Sequence, residues 1–158
     1  MEIQLICVGK LKETWWRDAC GEYAKRLQHS CSFSIREVPE TRLSDRPSPA
    51  QIEAALEEEG RKILAAAGNA KLFALCIEGD EMPSEMLADT IEQIGLHGVS
   101  RICFAIGSSY GLCDTVKSRA DRRLSMSPMT FPHQLARVML CEQIYRAFQI
   151  MGHGKYHK

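Results

Sequence analysis

The chain has 158 residues, 45% apolar and 25% charged, with 20 Lys/Arg balancing 20 Asp/Glu. That length supports one domain with a real core, spanning 1–158, and the composition excludes a disordered or fibrous chain. No apolar run approaches the ~20 residues of a membrane span, and the opening MEIQLICVGK lacks a signal-peptide pattern, so the expectation is a cytoplasmic protein.

In chain order, EIQLICVG (2–9) is an apolar strand, followed by helical sequence from about Glu13 to Gln28. SFSIREV (32–38) alternates with period two, as a strand with one wet face does. Ser44 to Pro49 is a polar linker; Ser48 and Gln51 make a capping box around Pro49, opening a helix that runs to about Ala67 and ends at Gly68-Asn69. KLFALCI (71–77) and RICFAIG (101–107) are continuous apolar runs, the pattern of strands covered on both faces, with a helix opened by Pro83 between them. A short helix near 113–119, a strand at 122–127 and a long helix at 133–151 complete the chain. Strands alternating with helices predict an α/β fold with a mostly parallel sheet and helices on both faces.

The seven cysteines form no C-x-x-C pair and mostly sit inside apolar runs. They read as buried, reduced thiols rather than disulfides or metal ligands, and no metal site is expected. Charge is uneven despite the zero total. Residues 1–114 carry 12 Lys/Arg against 18 Asp/Glu, whereas 115–158 carry eight against two. A basic C-terminal part suits an anionic partner, nucleic acid or phosphate first, although a solvated basic face would look the same.

In parallel sheets ligands bind beyond the carboxyl ends of the strands. Three such ends carry signals: Cys76 to Gly79, Gly107 to Leu112, and Ser127 to Pro132, the last stiffened by Pro128 and Pro132. Side by side, they would form one pocket. Gly107-Ser108-Ser109-Tyr110-Gly111 also fits G-x-S-x-G, the elbow of serine hydrolases, with Ser109 as nucleophile. The pattern is weak, the chain is short for a hydrolase sheet, and no oxyanion segment precedes it. A tight glycine turn that brings a ligand close to backbone N–H groups ranks higher.

The last helix is apolar around most of its circumference, from Leu135 through Val138, Met139, Ile144 and Phe148 to Met151. So wide an arc needs two neighbours, the sheet and plausibly a second subunit. Glu142 and Arg146 are spaced to pair along the helix. Arg137 lies out of phase with Arg146 and nearer the preceding loop, which makes it the better functional candidate.

The block L-S-M-S-P-M-T-F-P-H-Q-L-A-R-V-M-L-C-E-Q-I-Y-R-A with the terminal Tyr156-His157 resembles the small SPOUT methyltransferases of the RlmH family, which methylate N3 of a pseudouridine in 23S rRNA. The opening I-Q-L-I-C-V-G-K, the strand end A-L-C-I-E-G and I-G-S-S-Y-G-L extend the resemblance over the whole chain. It implies an α/β sheet with a C-terminal trefoil knot, a rare exception to ordinary topology. It also implies a homodimer that binds S-adenosyl-L-methionine and acts on 23S rRNA in the assembled 70S ribosome. Cofactor contacts would fall at Leu75, Cys76, Gly107, Ser108, Ser127, Pro128, Met129, Thr130, Phe131 and Pro132. Family members usually have glycine where this chain has Ser108. Strand-end glycines and a proline-stiffened loop suit an adenine, which needs apolar walls and a few backbone partners.

Methylating the imide N3 of pseudouridine requires its proton to leave, so the enzyme must supply a base or stabilise developing negative charge. His133, His153, His157, Arg137 and Tyr156 are the available groups. Arg137 is expected to hold phosphate or the charged base, with Tyr156 and His157 closing over the target nucleotide. His133 is equally suited to orienting the loop, and His29 and His97 read as surface residues. With no separate RNA-binding domain, recognition would rest on basic surface around the pocket. Trp15 and Trp16 open the first helix; both suit the core, though an exposed ring could stack on a base. A non-catalytic RNA-binding module is the remaining alternative, distinguished by having no need of the cofactor.

Overall fold

The computed structural model describes residues 1–152. Five strands and five helices alternate: β1 (Glu2–Val8), α1 (Thr14–Leu27), β2 (Ser32–Val38), α2 (Pro49–Ala67), β3 (Lys71–Glu81), α3 (Ser84–Leu96), β4 (Arg101–Ile106), α4 (Asp114–Arg119), β5 (Arg122–Ser125) and α5 (His133–Met151). All strand pairs are parallel and the order is β2-β1-β4-β3-β5. The parallel α/β architecture read from the alternation is present.

Period-two side-chain direction splits each central strand between two cores. Ile3, Leu5 and Cys7 of β1 and Ile102, Phe104 and Ile106 of β4 face α1, α3 and α5. Ile6 and Val8, with Cys103 and Ala105, face α2 and α4. Each strand is therefore apolar on both sides, which is why 71–77 and 101–107 read as continuous runs. Phe73 and Phe104 join neighbouring strands, with ring centroids 4.9 Å apart.

Local signals explain the helix starts. Ser48 accepts from the Gln51 N–H at 3.2 Å, and the Gln51 carbonyl accepts from the Ser48 N–H at 2.8 Å, completing the capping box. On the second face α4 lies so close to α2 that a Cβ at Gly60 would stand 2.3 Å from the Cys113 sulfur. All seven cysteines are free and six are buried, as expected of packing thiols.

Two boundaries depart from the sequence reading. β5 stops at Ser125, so Met126 and Ser127 belong to the loop. β3 runs on to Glu81 through a bulge, with Leu124 pairing first with Leu75 and then with Asp80. Gly79 sits in that bulge against β5, where a Cβ would lie 2.7 Å from the Arg123 carbonyl carbon.

Candidate active site

Because β4, β3 and β5 are neighbours, their carboxyl ends do lie side by side. They enclose a cavity of about 310 Å³, within the size range of small-molecule sites. Leu75 and Cys76, Gly107 and Ser108, and Ser127, Met129, Thr130 and Phe131 all line it. Eight of the ten residues expected to contact a cofactor are thus brought together. Pro128 and Pro132 do not line it; both are exposed and fix the course of the loop.

Each wall has a local cause. The β3 bulge takes Cys76, Ile77 and Glu78 out of the ladder and turns them to the cavity. After β4 the chain reverses at Ser108–Gly111, closed by the Gly111 N–H on the Ser108 carbonyl at 2.9 Å. Gly111 needs its φ of +87°. At Gly107 a Cβ would stand 2.1 Å from the Gly111 carbonyl oxygen, so glycine is demanded by close backbone approach. The tight-turn reading is the right one for G-x-S-x-G. Ser109 is exposed at the tip and receives no hydrogen bond from a histidine among the described residues. In the third wall, the Ser127 hydroxyl accepts from the Met129 N–H at 3.0 Å, and the Ser125 hydroxyl donates to the Ser127 carbonyl at 3.1 Å.

The cavity also holds polar groups that the sequence did not single out. Lys117 of α4 pairs with Glu78 at 2.5 Å and holds that carboxylate below the usual range. Both line the pocket, as does Tyr110. His133, at the first turn of α5, lines it too; burial lowers the pKa of its imidazole, favouring the uncharged ring. Glu78 and Lys117 come from elements forty residues apart, and only the fold makes them one pair.

Arg137 is elsewhere. It is 1% exposed, with Nη1 2.7 Å from Glu37 and Nη2 donating to the Gly9 carbonyl at 3.1 Å; its Nε has no partner. Glu37 also accepts from the Leu11 N–H at 3.1 Å. The arginine ties α5 to the ends of β1 and β2, while the next residue back, Ala136, faces the cavity. Tyr156 and His157 lie outside the described residues, as does His153. Among the described residues no His/Cys/Asp/Glu group has metal-site geometry, and no helix is long and apolar enough to cross a membrane.

A larger hollow, about 730 Å³, runs along α5 and α3 past Met82, Leu87, Val138 and Met139. It meets the loop after β5 only at Ser125 and Met126 and contains neither of the other two strand ends expected to carry chemistry, so its size does not make it the active site. The smaller cavity is where backbone turns and polar groups converge.

Comparison with known proteins assigns the chain to a family. Residues 1–157 match the family model described as "Predicted SPOUT methyltransferase". The chain is 48% identical to ribosomal RNA large subunit methyltransferase H of Bifidobacterium animalis subsp. lactis, and 45% and 46% identical to proteins of that name from Ligilactobacillus salivarius and Streptococcus thermophilus, with 100% of both chains covered in each case. The chain belongs to the SPOUT methyltransferase family. Solved structures of other proteins share the fold at low identity. A probable methyltransferase from Bordetella pertussis superposes with a TM-score of 0.57 at 14% identity, covering 92% of this chain and 95% of the other. The tRNA (m1G37) methyltransferase of Aquifex aeolicus gives 0.54 at 10% identity, covering 92% and 70%.

Proposed function

We propose that the chain methylates N3 of a pseudouridine in 23S rRNA of the assembled 70S ribosome, using S-adenosyl-L-methionine. One observation carries the reading: residues 75–78, 107–112 and 127–131, separated by up to 56 positions in sequence, converge on one cavity. The cavity fits the cofactor. Leu75, Ile106, Leu112 and Phe131 supply apolar walls for an adenine, the turn at Gly107 admits close backbone approach, and Lys117 offers a cation for a carboxylate. When bound, S-adenosylmethionine supplies an electrophilic methyl group on a sulfonium.

The protein's own part is to position the acceptor and take the N3 proton. His133, its uncharged form favoured by burial beside the cavity, is the described residue able to accept it. Tyr156 and His157 are assigned the closing of the site over the target nucleotide, and Arg137, buried and committed to Glu37 and Gly9, is assigned the positioning of α5 beside the cavity. Exposed Trp15, 62% accessible, is a candidate stacking surface.

The working unit is proposed to be a cytoplasmic homodimer. No residue of α5 is fully exposed, yet the hollow beside Val138 and Met139 remains open in the single chain. A second copy laid along α5 would fill it. A trefoil knot involving the 126–132 loop agrees with β5 returning beside β3 at the sheet edge.

The deciding experiment is transfer of labelled methyl from S-adenosylmethionine to 70S ribosomes with and without pseudouridine at the target. Label confined to the pseudouridine-containing ribosomes establishes reaction and acceptor together. Absence of label on both, from folded protein, rejects the reading.

A further inference from the structure

A second groove, about 720 Å³, opens at the ends of β1 and β2, between Gly9–Lys12 and the segment from Pro39 to Ser44. It shares Ser108, Ser109 and Tyr110 with the cofactor cavity, so the turn after β4 is a wall common to both. Its position suits a ligand. Between β1 and β4 the sheet changes winding direction, and crevices at such switch points are where α/β folds bind.

The inside of the groove is unusual. Glu59, from the third turn of α2, is 3% exposed and lines it. Its Oε1 accepts from the Thr41 N–H at 2.8 Å, whereas Oε2 is buried and makes no hydrogen bond of good geometry, although the Ser108 hydroxyl of the shared wall stands close enough to favour the charged carboxylate. An unpaired buried carboxylate oxygen is costly, and burial pushes this carboxyl above its usual range. An acceptor left open in a cavity wall is what a ligand N–H would satisfy. Around the rim stand Lys10, Lys12 and Arg42, all exposed and without an ion pair among the described residues. Of the acidic residues lining it, Glu37 is already committed to Arg137 and Leu11, which leaves Glu40 and the buried Glu59 opposing three cations. Tyr110, 51% exposed, presents an aromatic ring at the shared wall.

An acceptor inside, cations at the rim and an aromatic face are together the chemistry of a ribonucleotide. We propose that this groove is a second nucleotide subsite, holding a substrate nucleotide beside the methyl acceptor, whose base donates an imide or lactam N–H to Glu59. It rests on the rRNA methyl-transfer reading above. Uracil, pseudouracil and guanine carry such a donor. Cytosine has no ring N–H and offers only its exocyclic amine, beside a bare ring nitrogen that a carboxylate repels.

The test uses the full chain saturated with S-adenosylhomocysteine, titrated calorimetrically with uridine and cytidine 5′-monophosphates. Wild type should bind the uridine nucleotide in preference. Glu59→Gln should weaken it roughly tenfold, on the scale of an unpaired buried polar group, and level or invert the preference, because a carboxamide can donate to cytosine. Arg42→Glu should weaken both nucleotides alike and raise the KM for 70S ribosomes with little change in kcat. Thermal melts and S-adenosylhomocysteine affinity, expected near wild type, exclude misfolding as the cause. Equal binding of both nucleotides by wild type and Glu59→Gln, or no binding at all, overturns the subsite and leaves a water-filled groove. Failure of the methyl-transfer reading would look different: no labelled ribosomes from the wild type, whatever the groove binds.

Discussion

Arg137 shows what a residue's surroundings add to its identity. In sequence it is a cation one turn past a binding loop, and a phosphate contact is the natural reading. In the fold its two terminal nitrogens are spent on Glu37 and Gly9, 100 and 128 positions away, distances over which no local pattern speaks. Arg137→Met should cost about 2 kcal/mol in denaturant unfolding, below the ~3–5 of a fully buried pair because Glu37 is 32% exposed. It should also weaken S-adenosylmethionine binding, since Ala136 and His133 shift with it. His133 carries a second consequence. Its folded pKa lies below the ordinary 6.5, so below pH 6.5 the unfolded chain binds the proton more readily and stability falls with falling pH. Replacing it with glutamine should flatten that part of the melting profile; an unchanged profile would contradict the assignment.

At the scale of elements, the repeating parts were legible and the irregular ones were not. Both-face burial made β3 and β4 plain as apolar runs, and the Ser48–Gln51 box marked the start of α2. The bulge in β3 gave no signal beyond Gly79, because its cause is the backbone of β5 pressing on that residue. Yet the bulge and the Gly107 turn are what shape the cavity. Gly107→Ala should reduce cofactor affinity more than tenfold while leaving secondary structure by circular dichroism intact, since the added Cβ meets the Gly111 carbonyl. Gly60→Ala is a packing test away from the site. Its Cβ would overlap Cys113, and the expected loss is about 1–3 kcal/mol, without a change in KM for the donor.

For the whole molecule, the sheet's parallel character followed from alternation, but the strand order did not, because nothing local says that β1 lies between β2 and β4. The candidate site inherits that limit: the resemblance implied ten cofactor positions, eight of which line the cavity, while Glu78, Lys117 and the second groove needed the strand order. The proposed dimer belongs at this scale too. Light scattering should give about twice 17.8 kDa, and Met139→Glu, beside the hollow along α5, should halve the mass and abolish methyl transfer together. The order β2-β1-β4-β3-β5 has a further consequence, for biosynthesis. Glu2 pairs with Arg101 and Leu75 with Leu124, so β1 waits for almost two-thirds of the chain before its second neighbour exists. Until β4 emerges, β1 and β2 form a two-stranded ribbon with an open hydrophobic edge, too small to persist unaided. The nascent polypeptide thus exposes unpaired strand edges until late in its synthesis, and the cavity at the ends of β4, β3 and β5 is complete only once the last strand has been translated.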